Sequence, residues 1–536
     1  MTISIDQHKT NRYLVAAGNN TIYAEGDVAG TLTQIAGLTV DTTDNLNMFS
    51  GSQKAFIVNG KNLKIADFAN TRLSVATMTT PPSRGSIIQQ AGSDAAMSVD
   101  FVNASKTKIY GFTTTDDEFD TSGALTDQSG NMSPANPVPS AVLEASDAPL
   151  GYSWTPYPVG STGSLPAKAY LGAWYRGRAV LSGNPEDPHQ WYMSRQLNPF
   201  DWGYVANDAQ TPVAGTDADA GKVGDIVRAL IPFHDDYLIF GCATSMHYLQ
   251  GDPAVGGEMH SIDDFGGMYG AKSWCFDKRG DLYFVGTDGI SRIKKGTINI
   301  ESLSQLSIPL LLEDEAVNPA THRIVCGYDK RRDGVVIAIT LLADGSNSNY
   351  FYSIRAEGFF PETYPEQCGA YSMIYYPSNI SANSDLLVGG RDGYVRNFSD
   401  AAKDDDIGGS DQAIDSRCLM PIVDMNVDDD NGRGRLMSTT LTTAGGRANG
   451  EFKDTDGLTM DIHVADGSET LVEDVIDGAT PLHTETVSGP GRQLRFRGKA
   501  RGKWLGILIK NNTAAQSWAL GKLSVEDKLA GRIKGA

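Results

Sequence analysis

One phrase recurs along this chain: a short apolar stretch, a turn rich in Gly, Asn or Asp, and a second short stretch. It reads "RYLVAAGNNTIYAEG" at 12–26 and "KAFIVNGKNLKIADF" at 54–68. It returns as "GRAVLSGNPEDPHQWYMS" (177–194), "DYLIFGCATSMHYLQG" (236–251), "GDLYFVGTDGISRIK" (280–294) and "SDLLVGGRDGYVRNF" (384–398). Weaker copies are "TKIYGFTTT" (107–115) and "IVCGYDKRRDGVVIAIT" (324–340). The flanks are β-branched and aromatic, as strands require, and the turn residues supply positive φ at little steric cost. A chain built from such hairpins, with few helical periods between them, is constrained to an all-β fold.

The spacing of the phrases narrows the fold further. Gly18 to Gly60 is 42 residues, Gly241 to Gly286 is 45, and Gly286 to Gly390 is 104, with the Asp333-Gly334 turn near the middle. Periods of roughly 40–50 residues without a helical half are those of β-propeller blades. The arithmetic favours about seven blades within a range of six to eight. The WD dipeptide and the regular Gly-Gly pattern of kelch blades are both missing. Gly, at 58 of 536 residues, fits a chain of many tight turns.

Two stretches break the period. Residues 113–167 hold seven carboxylates, seven prolines and no Lys or Arg, and "SGNMSPANPVPS" reads as unable to pack in a sheet. The stretch is expected to be a Pro-rich acidic insertion leaving one face of the propeller, its aromatic end "YSWTPYPVG" (152–160) serving as a docking segment or a solvated loop. After residue 400 the texture changes. The expected division is a propeller over 1–400, an acidic connector over 401–420 and a small β-sandwich-like domain over 421–536.

Charge and cysteine usage exclude several classes. The net charge of −20 repels nucleic acid overall, so a DNA-coating role is disfavoured. The five cysteines are dispersed with no C-x-x-C, which suggests reduced thiols and synthesis in a cytoplasm. The start "MTISIDQHKTNRY" lacks a signal pattern, and no apolar run is long enough to span a membrane.

Motifs for chemistry fail on inspection. "GTDADAGKV" (215–223) has five residues, not four, between Gly215 and Gly221, and Val223 stands where a P-loop needs Ser or Thr. "NVDDDN" (426–431) has calcium-loop spacing but Asn431 at the turn and Met437 at the closing position. H-E-x-x-H and G-x-S-x-G are both absent. No catalytic, cofactor or metal residues are therefore assigned, and no enzyme activity is expected. "PEDPHQWYMSRQLNPFDWGY" (185–204) mixes aromatics, carboxylates and Arg, as a glycan cleft would. It reads better as a blade strand between Pro-directed turns, with Phe200 and Trp202 buried against the blade and Arg195 and Asp201 as candidates to pair. Residues 491–510 carry seven basic side chains and no acid. There Leu494 and Phe496 alternate with Arg495 and Arg497, so the cations share one strand face. In so acidic a chain, Arg495, Arg497, Arg501 and Lys503 are candidates for a contact between subunits, ahead of DNA.

The runs "AWYRGRAVLSG", "WYMSRQLNPFDW" and "VRALIPFHDDYLIFGCATSMHYLQGDP", with the closing "ARGKWLGILIKNNTAAQSWALGKLSVE", resemble tail proteins of short-tailed bacteriophages. The resemblance covers roughly 170–300 and 490–525, under a third of the chain. The family is the tail nozzle or hub, also described as a packaged-DNA-stabilising tail protein. The resemblance implies a β-propeller protein forming a six-fold ring in the virion tail, and it favours six blades. The implied partners are an adaptor ring above, tail fibre or tip proteins, and genomic DNA passing without sequence-specific binding. The 113–167 stretch has no counterpart in that pattern. The alternative from another class is a propeller that binds or cleaves host-surface glycan.

Overall fold

The computed structural model describes the chain except residues 1, 6–10, 27–29, 42–44, 159–162, 164, 217, 263–265, 400–401, 426–431, 447–453, 498 and 533–536. It divides into two compact units: Met1–Glu362 with Glu366–Phe398, and Thr363–Pro365 with Ser399–Ala536.

The first unit is a β-propeller. Its described residues form seven small antiparallel sheets, taken here as blades 1 to 7: residues 2–39, 47–67 with Leu150–Ser153, 171–214, 227–262, 274–302, 322–362 and 370–397. Seven is the number that the hairpin spacing favours, not the six implied by the resemblance. In blades 2 to 4 and again in blades 5 to 7 the first strands of successive blades face one another and so line the axis. Leu171–Tyr175 of blade 3 touches Asn47–Gly51 and Val227–Phe233, and His322–Asp329 of blade 6 touches Trp274–Phe276 and Ala370–Tyr376. Blade 7 meets blade 1 where the Tyr376 hydroxyl donates to the Arg12 carbonyl at 3.3 Å and Asn379 Oδ1 accepts the Arg12 N–H at 2.8 Å.

Each clear phrase of the sequence is the hairpin between the second and third strands of a blade. The weaker copy at 324–340 joins the first and second strands of blade 6 instead. "TKIYGFTTT" is no blade hairpin and supplies the strand Lys108–Thr113 of another sheet. The second strands Lys54–Val58 and Leu282–Gly286 are buried along their whole length. Both faces of these strands pack on neighbouring blades, so their sequences run continuously apolar instead of alternating. Close approach then demands glycine at a few places. A Cβ on Gly172 would stand 2.2 Å from the Phe49 ring, and one on Gly51 would stand 2.2 Å from the Trp174 ring.

The stretch 113–167 is not a loop leaving the propeller. A six-stranded sheet interrupts blade 2, in the order Leu125–Asp127, Ile87–Gln90, Ala96–Val102, Lys108–Thr113, Thr71–Ser74, Ala141–Glu144. The insertion therefore begins near residue 71, and its Pro-rich segment lies against this sheet, with Met132 buried and Ser133 bridged to Thr80. The chain then returns to complete blade 2 with Leu150–Ser153. The aromatic end is no docking segment, because Tyr152, Trp154 and Tyr157 are all buried. They share one core with Phe56 of blade 2 and Phe101 of the inserted sheet.

In the second unit two sheets face each other as a sandwich. One runs Ser416–Leu419, Trp504–Asn511, Gly457–Ala465, His483–Ser488. The other pairs Gly432–Thr443 with Gln493–Phe496, Arg501–Gly502 and Leu520–Arg532. Leu436, Leu441 and Phe496 of one sheet meet Met460, Ile462, Ile507 and Ile509 of the other. Residues 401–420 are part of this unit and not a connector. Ser416–Leu419 is an edge strand of the first sheet, Lys403 bonds Asp456 at 2.6 Å, and Asp404 accepts the Ala515 N–H at 2.6 Å. Acidic side chains read as solvated spacer because the sequence does not show which cations and amides they meet.

Candidate functional site

The basic segment lies on the second sheet of the sandwich. Strand alternation turns Phe496 into the core and Arg495 outward, as the sequence pattern predicts. Arg495 faces an acid, however. Its Nη2 is 3.1 Å from Glu526 Oε2, and the Ser438 hydroxyl donates to the same carboxylate at 2.6 Å. The Ser438 hydrogen bond and then Arg495 hold the Glu526 carboxyl below its ordinary value, with Arg497 adding a smaller effect. Arg495 and Arg497 are thus brought together around Glu526. Arg501 and Lys503 lie farther along, both engaged with neighbours. Arg501 stands opposite Arg435, and Arg435 stands opposite Lys528. All three of these cations are exposed. Like charges in register across three strands repel, so this ladder is the part of the segment that favours an anionic partner. Arg435 and Lys528 escape sequence reading because strand pairing alone places them beside Arg501.

The axis of the propeller carries a second polar constellation. Arg323 Nη2 of blade 6 donates to Asn45 Oδ1, just ahead of blade 2. Lys272 Nζ, ahead of blade 5, lies 3.4 Å from the Tyr371 carbonyl of blade 7. Blades 2 and 6 are not neighbours, so the Arg323–Asn45 contact crosses the axis where the first strands begin, and the Lys272–Tyr371 contact joins the two blades that flank blade 6. The propeller's own bore is bridged at this end. No motif in the sequence marks these residues.

Buried charges elsewhere are held in structural pairs. Arg178 bonds Asp252 at 3.0 Å and also donates to the carbonyls of Ser194 and Thr211 at 2.9 and 2.7 Å. Arg332 joins Asp329 and Glu362. Among the described residues, no group of three His, Cys, Asp or Glu side chains could hold a metal ion. The 426–431 segment lies outside the described residues. In the aromatic stretch, Asp187–Met193 is a strand of blade 3 and Phe200 and Trp202 are buried. Phe200 stacks on Phe101 of the inserted sheet at 4.5 Å and shares a core with Ala179 and Leu181 of its own blade. The indoles of Trp154 and Trp202 both donate to the Pro199 carbonyl at 2.9 Å. Arg195 pairs with Asp208 at 2.5 Å and not with the Asp201 side chain, which accepts the Gly203 N–H. No helix of the described residues is long and apolar enough to cross a membrane.

No protein-family model matches the chain, and no curated protein does. Among solved structures, it is similar to a chain of the Mitotic Checkpoint Complex at 9% identity and TM-score 0.34, covering 75% of this chain and 94% of that one. A putative 6-phosphogluconolactonase of Bacteroides fragilis is similar at 8% identity and TM-score 0.32, covering 74% and 93%. The extracellular domain of a putative one-component system of B. thetaiotaomicron is similar at 9% identity and TM-score 0.31, covering 97% and 68%.

Proposed function

We propose that this chain is a structural, non-enzymatic protein of a short-tailed phage virion, a nozzle or hub whose copies form a ring, six in number, at the distal tail channel. One observation carries the reading. The stretches that resemble nozzle proteins follow structural pieces: 170–300 covers blades 3 and 4 and nearly all of blade 5, and 490–525 covers Gln493–Phe496, Arg501–Gly502 and Trp504–Asn511 of the sandwich and the start of Leu520–Arg532. The proposed path for DNA runs between copies and not through a propeller, whose bore the Arg323–Asn45 contact crosses. Six copies at −20 each carry −120, and a lumen lined by part of that charge repels the phosphate backbone and keeps it from sticking. The ladder Arg435, Arg501 and Lys528 is the proposed subunit contact, with Arg495 and Arg497 at its margin. A head-to-tail ring needs such a patch to meet an acidic face of the next copy. The adaptor ring and tail fibre or tip proteins complete the proposed set of partners. Native mass spectrometry tests the reading: six times 57.5 kDa supports it, and a persistent species at 57.5 kDa across salt and concentration overturns it.

A further inference from the structure

The Arg323–Asn45 and Lys272–Tyr371 contacts gather two cations, and among the described residues no carboxylate forms an ion pair with either. Lys272 and Arg323 lie close enough to repel each other, and each is partly buried. Their polar partners are neutral: the Tyr371 carbonyl for Lys272, and Asn45 Oδ1 for Arg323. Arg323 also lies over the Tyr371 ring at 4.7 Å. Tyr269, three residues before Lys272, carries a hydroxyl that burial holds in its neutral form. That hydroxyl is buried and has no hydrogen-bond partner among the described residues. The other buried cations behave differently: Lys54, Arg178 and Arg332 each meet at least one carboxylate. Desolvated positive charges left beside one another, with only neutral partners, are costly unless an anion completes the arrangement.

We propose that this end of the propeller axis binds a small multivalent oxyanion, of the phosphate or polycarboxylate class, between Lys272 and Arg323. Guanidinium and ammonium groups recognise such anions through charge-assisted hydrogen bonds, the guanidinium in a fixed fork and the ammonium as a point charge. The site draws its ligands from the adjacent blades 5 and 6, with Asn45 and Tyr371 at its border. The inference is independent of ring formation.

The test uses the full chain titrated with inorganic phosphate and, separately, with citrate, against chloride of matched ionic strength. Calorimetry and thermal unfolding are read together. The expected result is saturable binding of at least one of the two, with a matching rise in Tm, weakened about tenfold or more by Arg323→Gln and by Lys272→Met. A preference for phosphate or for citrate assigns the class. A measurement without any variant accompanies it: the ¹³C-dimethyl-lysine resonance of Lys272, which should move on saturation with the bound anion. The proposal is overturned if neither anion exceeds chloride, if the Lys272 resonance stays still, or if both variants bind like the parent chain.

Discussion

Lys54 Nζ lies 2.8 Å from Asp100 Oδ2, so a buried ion pair fastens the second blade to the sheet inserted into it. Asp67 stands 3.7 Å from the same amine, Arg84 reaches Asp100 at 2.9 Å, and the Tyr152 hydroxyl donates to Asp67 at 2.7 Å. Burial opposes the charge on both Lys54 and Asp100. The opposite charges outweigh it, raising the Lys54 value and lowering that of Asp100.

Lys54→Met should therefore destabilise the propeller unit by about 3–5 kcal/mol, since it leaves buried Asp67 without a cation and Asp100 with Arg84 alone. Denaturant unfolding measures this. The sign for acid follows from Asp100: its folded value lies below the ordinary 3.8, so its stabilisation is present above that pH and is lost as pH falls through the folded value. Asp100→Asn should lessen that acid sensitivity, and an unchanged acid midpoint would count against the cluster as a fastener.

Gly172→Ala should cost about 1–3 kcal/mol, because the added methyl meets the Phe49 ring between blades 2 and 3. Phe49→Leu in the same chain should recover part of that loss. The double-mutant cycle checks whether the two sites are coupled.

Lys272 gives a pH dependence of the opposite kind. Burial, with Arg323 adding repulsion, lowers its value from 10.5 to about 7. The unfolded chain then holds a proton that the folded chain has lost, so the penalty is absent above 10.5, grows as pH falls, and is complete below about 7. Among the described residues, Arg323 and the Tyr371 carbonyl are the groups that face the amine. In buffer free of multivalent anions, Lys272→Met should be more stable than the parent at pH 7, and the gap should close as pH rises toward 10.5. A gap that is constant with pH would show an ordinary lysine.

Reversal of Arg435 and Lys528 to Glu should slow or abolish ring assembly at low ionic strength and leave the sandwich folded. Rim charges govern association in a salt-dependent way. Arg495→Glu is the poorer probe, because it sets a second acid beside Glu526 within the same sheet. Light scattering at several salt concentrations reads the effect. Normal assembly by the double reversal would remove the ladder from the interface.

The blades were legible in the sequence because a blade is local, although their number was legible only as a range of six to eight. A blade's hairpin closes within some fifteen residues, and turn chemistry together with strand burial leaves a repeating signature such as "YFVGTDGISRI". The outward direction of Arg495 was legible for the same reason, since strand alternation has a period of two. What those side chains meet was not legible. Glu526 reaches Arg495 across an intervening strand, Phe200 stacks on Phe101 of the inserted sheet, and Arg195 takes Asp208 instead of Asp201. The inserted sheet escaped because its strands pair out of chain order, with Ala141–Glu144 lying beside Thr71–Ser74. The axial pair Lys272 and Arg323 is the extreme case, formed only when a ring closes and brings the starts of distant strands to one point. Periodicity and turn residues are properties of a few neighbouring positions, so the sequence by itself determined the blades. Charge pairing and axial convergence depend on positions far apart in the chain, so only the tertiary structure decided them.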